Sequence, residues 1–175
     1  VLELAKNRIP WLLVLMFASI FSGSILMEYK EAIQVLPLLL GFVPMVMDTS
    51  GNCGNQSSTL IIRGMAVGEI ELKNVIQVVW KEFRVGLLCG AVLAAVNFAC
   101  LVFRYPERLT LNLVIVISLM LAIVMAKIIG CILPMLAEKL KVDPTIMAAP
   151  LITTIVDAGS LLIYFKIASM LLHLA

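Results

Sequence analysis

Two acids in apolar surroundings are the residues of this chain best suited to do chemistry. Asp48 opens the polar run Asp48-Thr-Ser-Gly-Asn-Cys-Gly-Asn-Gln-Ser-Ser-Thr59, which continues directly from the apolar segment Leu36–Met47. At helical spacing Asp48, Asn52, Asn55 and Thr59 fall at i, i+4, i+7 and i+11 and so share one helix face. The same spacing recurs in Thr153, Asp157, Ser160 and Tyr164, inside the apolar run Ile146–Leu172. A carboxylate within a membrane-spanning helix is costly unless it faces a wet cavity or a cation, so both stripes point to an ion or substrate path.

Acids alone do not separate a dehydrated-cation filter, a hydrated-cation pore and a proton relay. The prolines narrow the choice: Pro150 has no N–H for the carbonyl of Ile146, and Pro44 leaves that of Leu40 free. Freed carbonyls and carboxylates are the hard oxygen ligands that suit Mg²⁺ and Ca²⁺, whereas Zn²⁺ or Cu⁺ calls for His or Cys. The single histidine, His173, stands at the chain end and reads as an interfacial residue. Cys53, Cys89, Cys100 and Cys131 lack C-x-x-C spacing and read as small buried hydrophobes. Ser57, Ser58 and Thr154 are better explained by hydrogen bonds between helices, with glycines permitting close approach. An alternative chemistry is intramembrane aspartyl hydrolysis, because Asp48-Thr-Ser-Gly51 matches an aspartic-protease string and Asp157 offers a second carboxylate. That string normally sits in a β-rich soluble lobe, whereas here it extends a spanning helix, so no enzyme is expected.

Composition sets the elements that carry these residues. With 62% hydrophobic and 14% charged residues and a mean hydropathy of +1.10, the 175-residue chain is far more apolar than a soluble domain. Its net charge of +2 gives no electrostatic footprint for nucleic acid. The pattern predicts an all-α integral membrane protein, one domain over 1–175 with five transmembrane helices near 9–29, 32–64, 83–103, 110–137 and 145–172. A straight helix from Ala32 to Arg63 would be about 48 Å long, well beyond a hydrocarbon core of about 30 Å. Pro37, Pro44, Gly51 and Gly54 therefore predict a kinked or partly unwound second span, and Pro150 a kinked fifth. Glu69–Lys81 reads as an interfacial or connecting helix.

Basic residues set the expected orientation. A cytoplasmic N-terminus puts Lys6, Arg8, Arg63, Lys73, Lys81, Arg84, Lys139 and Lys141 inside and Lys30, Arg104 and Arg108 outside, with the C-terminus outside the cell membrane. Lys127 and Lys166 lie within spans, where snorkelling, lining an aqueous path and pairing with an acid are all open, snorkelling being the commonest. The chain starts at Val1 with no cleavable signal pattern and is expected to be a piece of a longer protein.

The string Gly51-Asn-Cys-Gly-Asn-Gln-Ser-Ser-Thr-Leu-Ile-Ile-Arg63, with Val142-Asp-Pro144, Pro150-Leu-Ile-Thr-Thr-Ile-Val-Asp157 and Leu161-Leu-Ile-Tyr164, resembles the transmembrane domain of MgtE-type magnesium transporters. The resemblance covers essentially the whole chain. It implies a homodimer in the lipid bilayer with a pore on the two-fold axis, lined by the second and fifth spans. In that arrangement Asp157 of each subunit holds the transported, hydrated Mg²⁺, and Gly51–Gln56 corresponds to the family's glycine-asparagine segment. The metal-site residues expected on these grounds are Asp157, Thr153, Asp48, Asn52 and Asn55, with Gly51, Gly54, Gln56, Pro150 and Ser160 lining the pore. The family's cytoplasmic N-terminal and CBS regulatory regions are absent from the sequence. Two departures are Asp157-Ala-Gly-Ser160, where members often carry Asp-x-x-Gly, and Ala149 before Pro150. Another secondary cation transporter is the alternative within transport.

Overall fold

A computed structural model describes residues 2–141 and 144–172, all helical or in short connections. His173 and the Val142-Asp143 part of the quoted motif lie outside them. The helices are α1 (Leu2–Glu28), α2 (Lys30–Val35), α3 (Leu38–Ala66), α4 (Val75–Arg104), α5 (Leu109–Lys139) and α6 (Pro144–Leu172), with one 3₁₀ turn at Leu72–Asn74. Apolar side chains and the absence of competing water favour this form, because a backbone in hydrocarbon must satisfy its own hydrogen bonds. The five long helices, of 27, 29, 30, 31 and 29 residues, are each about 40–46 Å long.

Among the described residues three helical segments are long and apolar enough to cross a membrane: Leu72–Arg104, Leu109–Lys139 and Pro150–Leu172. The other two expected spans fall short for different reasons. In α1 the apolar stretch is the shorter Leu12–Glu28. In α3 the length suffices, but this is the least apolar of the long helices because of its polar run. Its burial is supplied by neighbours, since α3 packs on α5 and α6, α4 packs on α5, and α1 packs on α6. Among the described residues α5 touches three long helices and forms the centre of the bundle.

The connections differ from expectation in two respects. The interruption expected in the second span lies at Leu36-Pro37 and not at the glycines: Pro37 has no N–H to donate, and the helix restarts at Leu38 with Leu39 N–H on the Leu36 carbonyl at 3.0 Å. From there α3 is helical without interruption through Gly51 and Gly54 to Ala66. The segment 69–81 is not a separate connecting helix. Residues 75–81 are the first turns of α4, because Val75, Val78 and Val79 pack beside Ile61, Cys131 and Met135. A tight turn leads into them. Gly68 takes φ +76°, and the amides of Glu69 and Ile70 both bond the Gly64 carbonyl, at 2.9 and 3.1 Å. The Ile70 side chain then lies over Gly64, where a Cβ would come within 2.6 Å of it.

The helices meet through small residues, as expected where lipid tails are as apolar as leucine. On α4 the buried face reads Glu82, Gly86, Gly90, Ala94 at four-residue intervals. A Cβ on Gly86 would sit 3.3 Å from Val124 Cα, and one on Gly90 would sit 3.4 Å from Met120 Cγ. The tightest contact is between α3 and α5, where a Cβ on Gly130 would overlap the Gly54 carbonyl oxygen. A Cβ on Gly54 would lie 3.1 Å from both the Ala126 carbonyl oxygen and Ile152 Cγ2.

Gly130→Ala must therefore push α3 away from α5. Overpacking of this kind costs about 1–3 kcal/mol, more than the ~1 kcal/mol that alanine gains over glycine by helix propensity. The melting temperature of the purified variant should fall, while Gly41→Ala, with no atom within 4 Å of the added carbon, should hold or raise it.

Candidate cation path

The face of α3 turned away from α5 carries the expected polar stripe. Asp48, Asn52, Gln56 and Thr59 are exposed and Asn55 is half-buried. Asn52, Asn55, Gln56, Thr59 and Leu60 line an open groove of about 620 Å³. Asn55 Oδ1 is buried yet has no hydrogen-bond partner among the described residues, and Thr59 uses its hydroxyl on the Asn55 carbonyl, at 2.9 Å. An amide oxygen left in this state is an acceptor for something outside the chain's own polar groups.

The α6 stripe meets α3 from the side. Gly51 is what allows the approach: a Cβ there would stand 3.8 Å from Asp157 Oδ1 and 3.9 Å from Thr153 Cγ2. Asp157 and Thr153 are half-buried, and Asp48 is within electrostatic reach of Asp157. Pro150 begins the arrangement, since its carbonyl accepts the hydroxyls of Thr153 and Thr154, both at 2.9 Å. Ser160 and Tyr164 turn inward. Ser160 Oγ is fully buried 2.8 Å from Ser50 Oγ, and the Tyr164 hydroxyl donates to the Leu39 carbonyl at 3.0 Å. These two bonds fasten α6 to α3 behind Asp157. Among the described residues no three His, Cys, Asp or Glu side chains converge as a metal cage. What one copy assembles is a carboxylate beside a glycine-backed helix and a row of amide and hydroxyl oxygens, a surface that suits a hard, water-coated cation.

In a second polar group, pairing with an acid was among the readings open for Lys127, but the acid, Glu82, was not foreseen. Lys127, at the middle of α5, is 4% exposed and does not snorkel: its Nζ donates to Ser57 Oγ at 3.1 Å and lies 3.8 Å from Glu82 Oε2. Ser57 in turn donates to Glu82 Oε2 at 2.6 Å. Ser57 does bond between helices, as its type suggests. The signal for Glu82 was its place one turn before Gly86, on the four-residue repeat of small residues that faces α5.

The family profile for MgtE, described as a divalent cation transporter, matches residues 43–167. The chain is 38% identical over 169 residues to the magnesium transporter MgtE of Bacillus subtilis (strain 168), covering 97% of this chain and 37% of that protein. It is 37% identical over 167 residues to the magnesium transporter MgtE of Thermus thermophilus, covering 95% of this chain and 36% of that protein. For the magnesium transporter MgtE of Enterococcus faecalis the identity is 33% over 172 residues, with 98% and 38% covered. The chain thus spans little more than a third of the length of these relatives. They are transporters, which removes the aspartyl-hydrolase alternative. With 125 consecutive residues inside the family profile (167 − 43 + 1) and near-complete coverage by three relatives, this multi-pass membrane chain belongs to the MgtE family of divalent cation transporters.

Proposed function

We propose that residues 1–175 form the membrane pathway of a Mg²⁺ transporter, built as a homodimer with the cation path on its two-fold axis. One observation carries this reading: Asp48, Asn52, Gln56 and Thr59 are exposed along one face of a helix that runs inside a membrane bundle. Such a face is too polar for lipid. A second copy of the same face, related by a two-fold axis, covers it from hydrocarbon and encloses water between the two. The unpartnered Asn55 oxygen then meets the water shell of an ion.

In this arrangement Asp157 from each copy supplies the charge. Mg²⁺ dehydrates reluctantly and keeps several waters when few carboxylates hold it, so two acids with surrounding amide and hydroxyl oxygens suffice. Asp48, Asn52, Asn55 and Thr153 receive the water shell. Gln56 and Pro150 border the path, the buried Gly51, Gly54 and Ser160 set how closely the helices behind it approach, and bends at Pro44 and Pro150 open it. Charge selects cations, and the fit of the hydrated shell selects among them. The names of the relatives support Mg²⁺ as cargo. The chain lies in the cell membrane with its N-terminus cytoplasmic, because eight basic residues flank one side and three the other.

Asp157→Asn keeps the side-chain shape and removes two charges per dimer. Mg²⁺ flux into liposomes should fall about tenfold or more, equivalent to roughly 1.4 kcal/mol or more of lost ion stabilisation, with elution volume unchanged. Wild-type flux in a well-folded variant would sink the assignment. Orientation is read separately. After replacement of the four native cysteines, Glu107→Cys should react with an impermeant reagent in intact cells, and Glu138→Cys only after permeabilisation. The opposite order inverts the topology.

A further inference from the structure

Between Ser50 and Ser58 the buried face of α3 is made only of small residues, Ser50, Gly51, Cys53, Gly54, Ser57 and Ser58, with the larger Leu39, Val43 and Val46 before it and Ile61 after it. Such a face lets helices approach closely, but it has few ridges to interlock, so packing alone holds the helix weakly against rotation about its axis. Directional polar bonds supply what shape does not. At Ser57 the hydroxyl accepts from Lys127 of α5 and donates to Glu82 of α4, which ties α3 to two helices through one oxygen. The packing of α3 is on α5 and α6, and α4 packs on α5, so the Glu82 carboxylate reaches across to a helix that its own helix does not pack closely against. Asn97 makes the only other α4 to α3 side-chain bond among the described residues, to Met45 Sδ at 2.9 Å.

The network is costly and its geometry excludes a simpler role. Glu82 and Lys127 are 8% and 4% exposed, and a buried pair of charges in a membrane bundle is retained only when each is well partnered. A cavity of about 760 Å³, lined by Arg63, Glu69, Gln77 and Lys81 at one part of its wall, has Glu82 and Lys127 at another. Glu82 makes it a poor second cation site, because its Oε2 already accepts from Ser57 and stands 3.8 Å from the Lys127 ammonium. We propose instead that Ser57, Glu82 and Lys127 act as positioning residues that fix the rotation of α3, so that Asn52, Asn55 and Gln56 point into the groove while Cys53 stays buried. The inference rests on the cation-path reading for its meaning in transport, although the rotation itself is measurable without transport.

Cys53 is a native reporter, buried against Leu119 and Ile123. In a protein with Cys53 as its single thiol, Ser57→Ala should raise the rate of modification by N-ethylmaleimide about fivefold or more, the scale of one lost hydrogen bond. Ser57→Thr, which keeps the hydroxyl, should restore the original rate. In a matched protein with Asn52→Cys as its single thiol, exposed on the groove side of α3, the rate should fall as rotation carries that face inward, whereas a general loosening would slow no thiol. If Ser57→Ala does not fold, the double variant Glu82→Met and Lys127→Met removes the network with volume kept and carries the same expectation. A wild-type Cys53 rate in the folded variant, or a faster Cys53 with no slowing at position 52, would overturn the proposal. Mg²⁺ flux in Asp157→Asn is measured in parallel: undiminished flux there, with the Cys53 increase present, rejects the cation path and leaves the positioning network standing.

Discussion

The contact of Gly54 with Gly130 governs this bundle. A helix as polar as α3 stays among membrane-spanning neighbours only if its backbone approaches theirs closely enough for dispersion and polar side-chain bonds to replace the missing apolar bulk. Two glycines facing each other provide that approach, since a single Cβ at position 130 would overlap the carbonyl oxygen of Gly54. The rest follows from that depth. Gly51 is brought against Asp157, Ser50 against Ser160, and Ser57 within reach of both Lys127 and Glu82.

As a result α3 has two polar faces with opposite requirements. The inner face carries hydroxyls that are bonded within the protein, except for Ser58, whose Oγ has no partner among the described residues. The outer face carries longer amides and an acid that remain accessible. Small polar groups suit a crowded interface because they can be satisfied without volume, whereas asparagine and glutamine offer reach toward water or an ion. One helix thereby serves as both the packing element and the lining of a groove.

Much of this was legible in the residues. The i, i+4, i+7, i+11 spacing gave the outer stripe correctly as a shared face, and the glycines gave close approach. The five long helices were readable from apolar runs, even though only three helical segments qualify as spans by apolarity. Connections were harder. Nothing local separates a break at Pro37 from a kink there, because the outcome depends on whether the preceding turn has packing to hold it. Amphipathic spacing in 69–81 also misled: Lys73 and Lys81 are exposed whether the segment is a separate surface helix or the first turns of a long one. Lys127 was only half read. Pairing with an acid was one of its open readings, but Glu82 could be found only by noticing that the repeat Gly86, Gly90, Ala94 extends one turn back to it.

The turn after α3 has a mechanical consequence. With Glu69 and Ile70 both bonded to the Gly64 carbonyl and the Ile70 side chain seated on Gly64, the end of α3 is clamped to the residues that start α4. At the other end Pro37 interrupts the backbone ladder, and the amides of Leu39 and Leu40 bridge the break to the carbonyls of Leu36 and Pro37. The two ends of α3 are thus joined to their neighbours differently, by a backbone clamp with a seated side chain at one and by two turn-type bonds at the other.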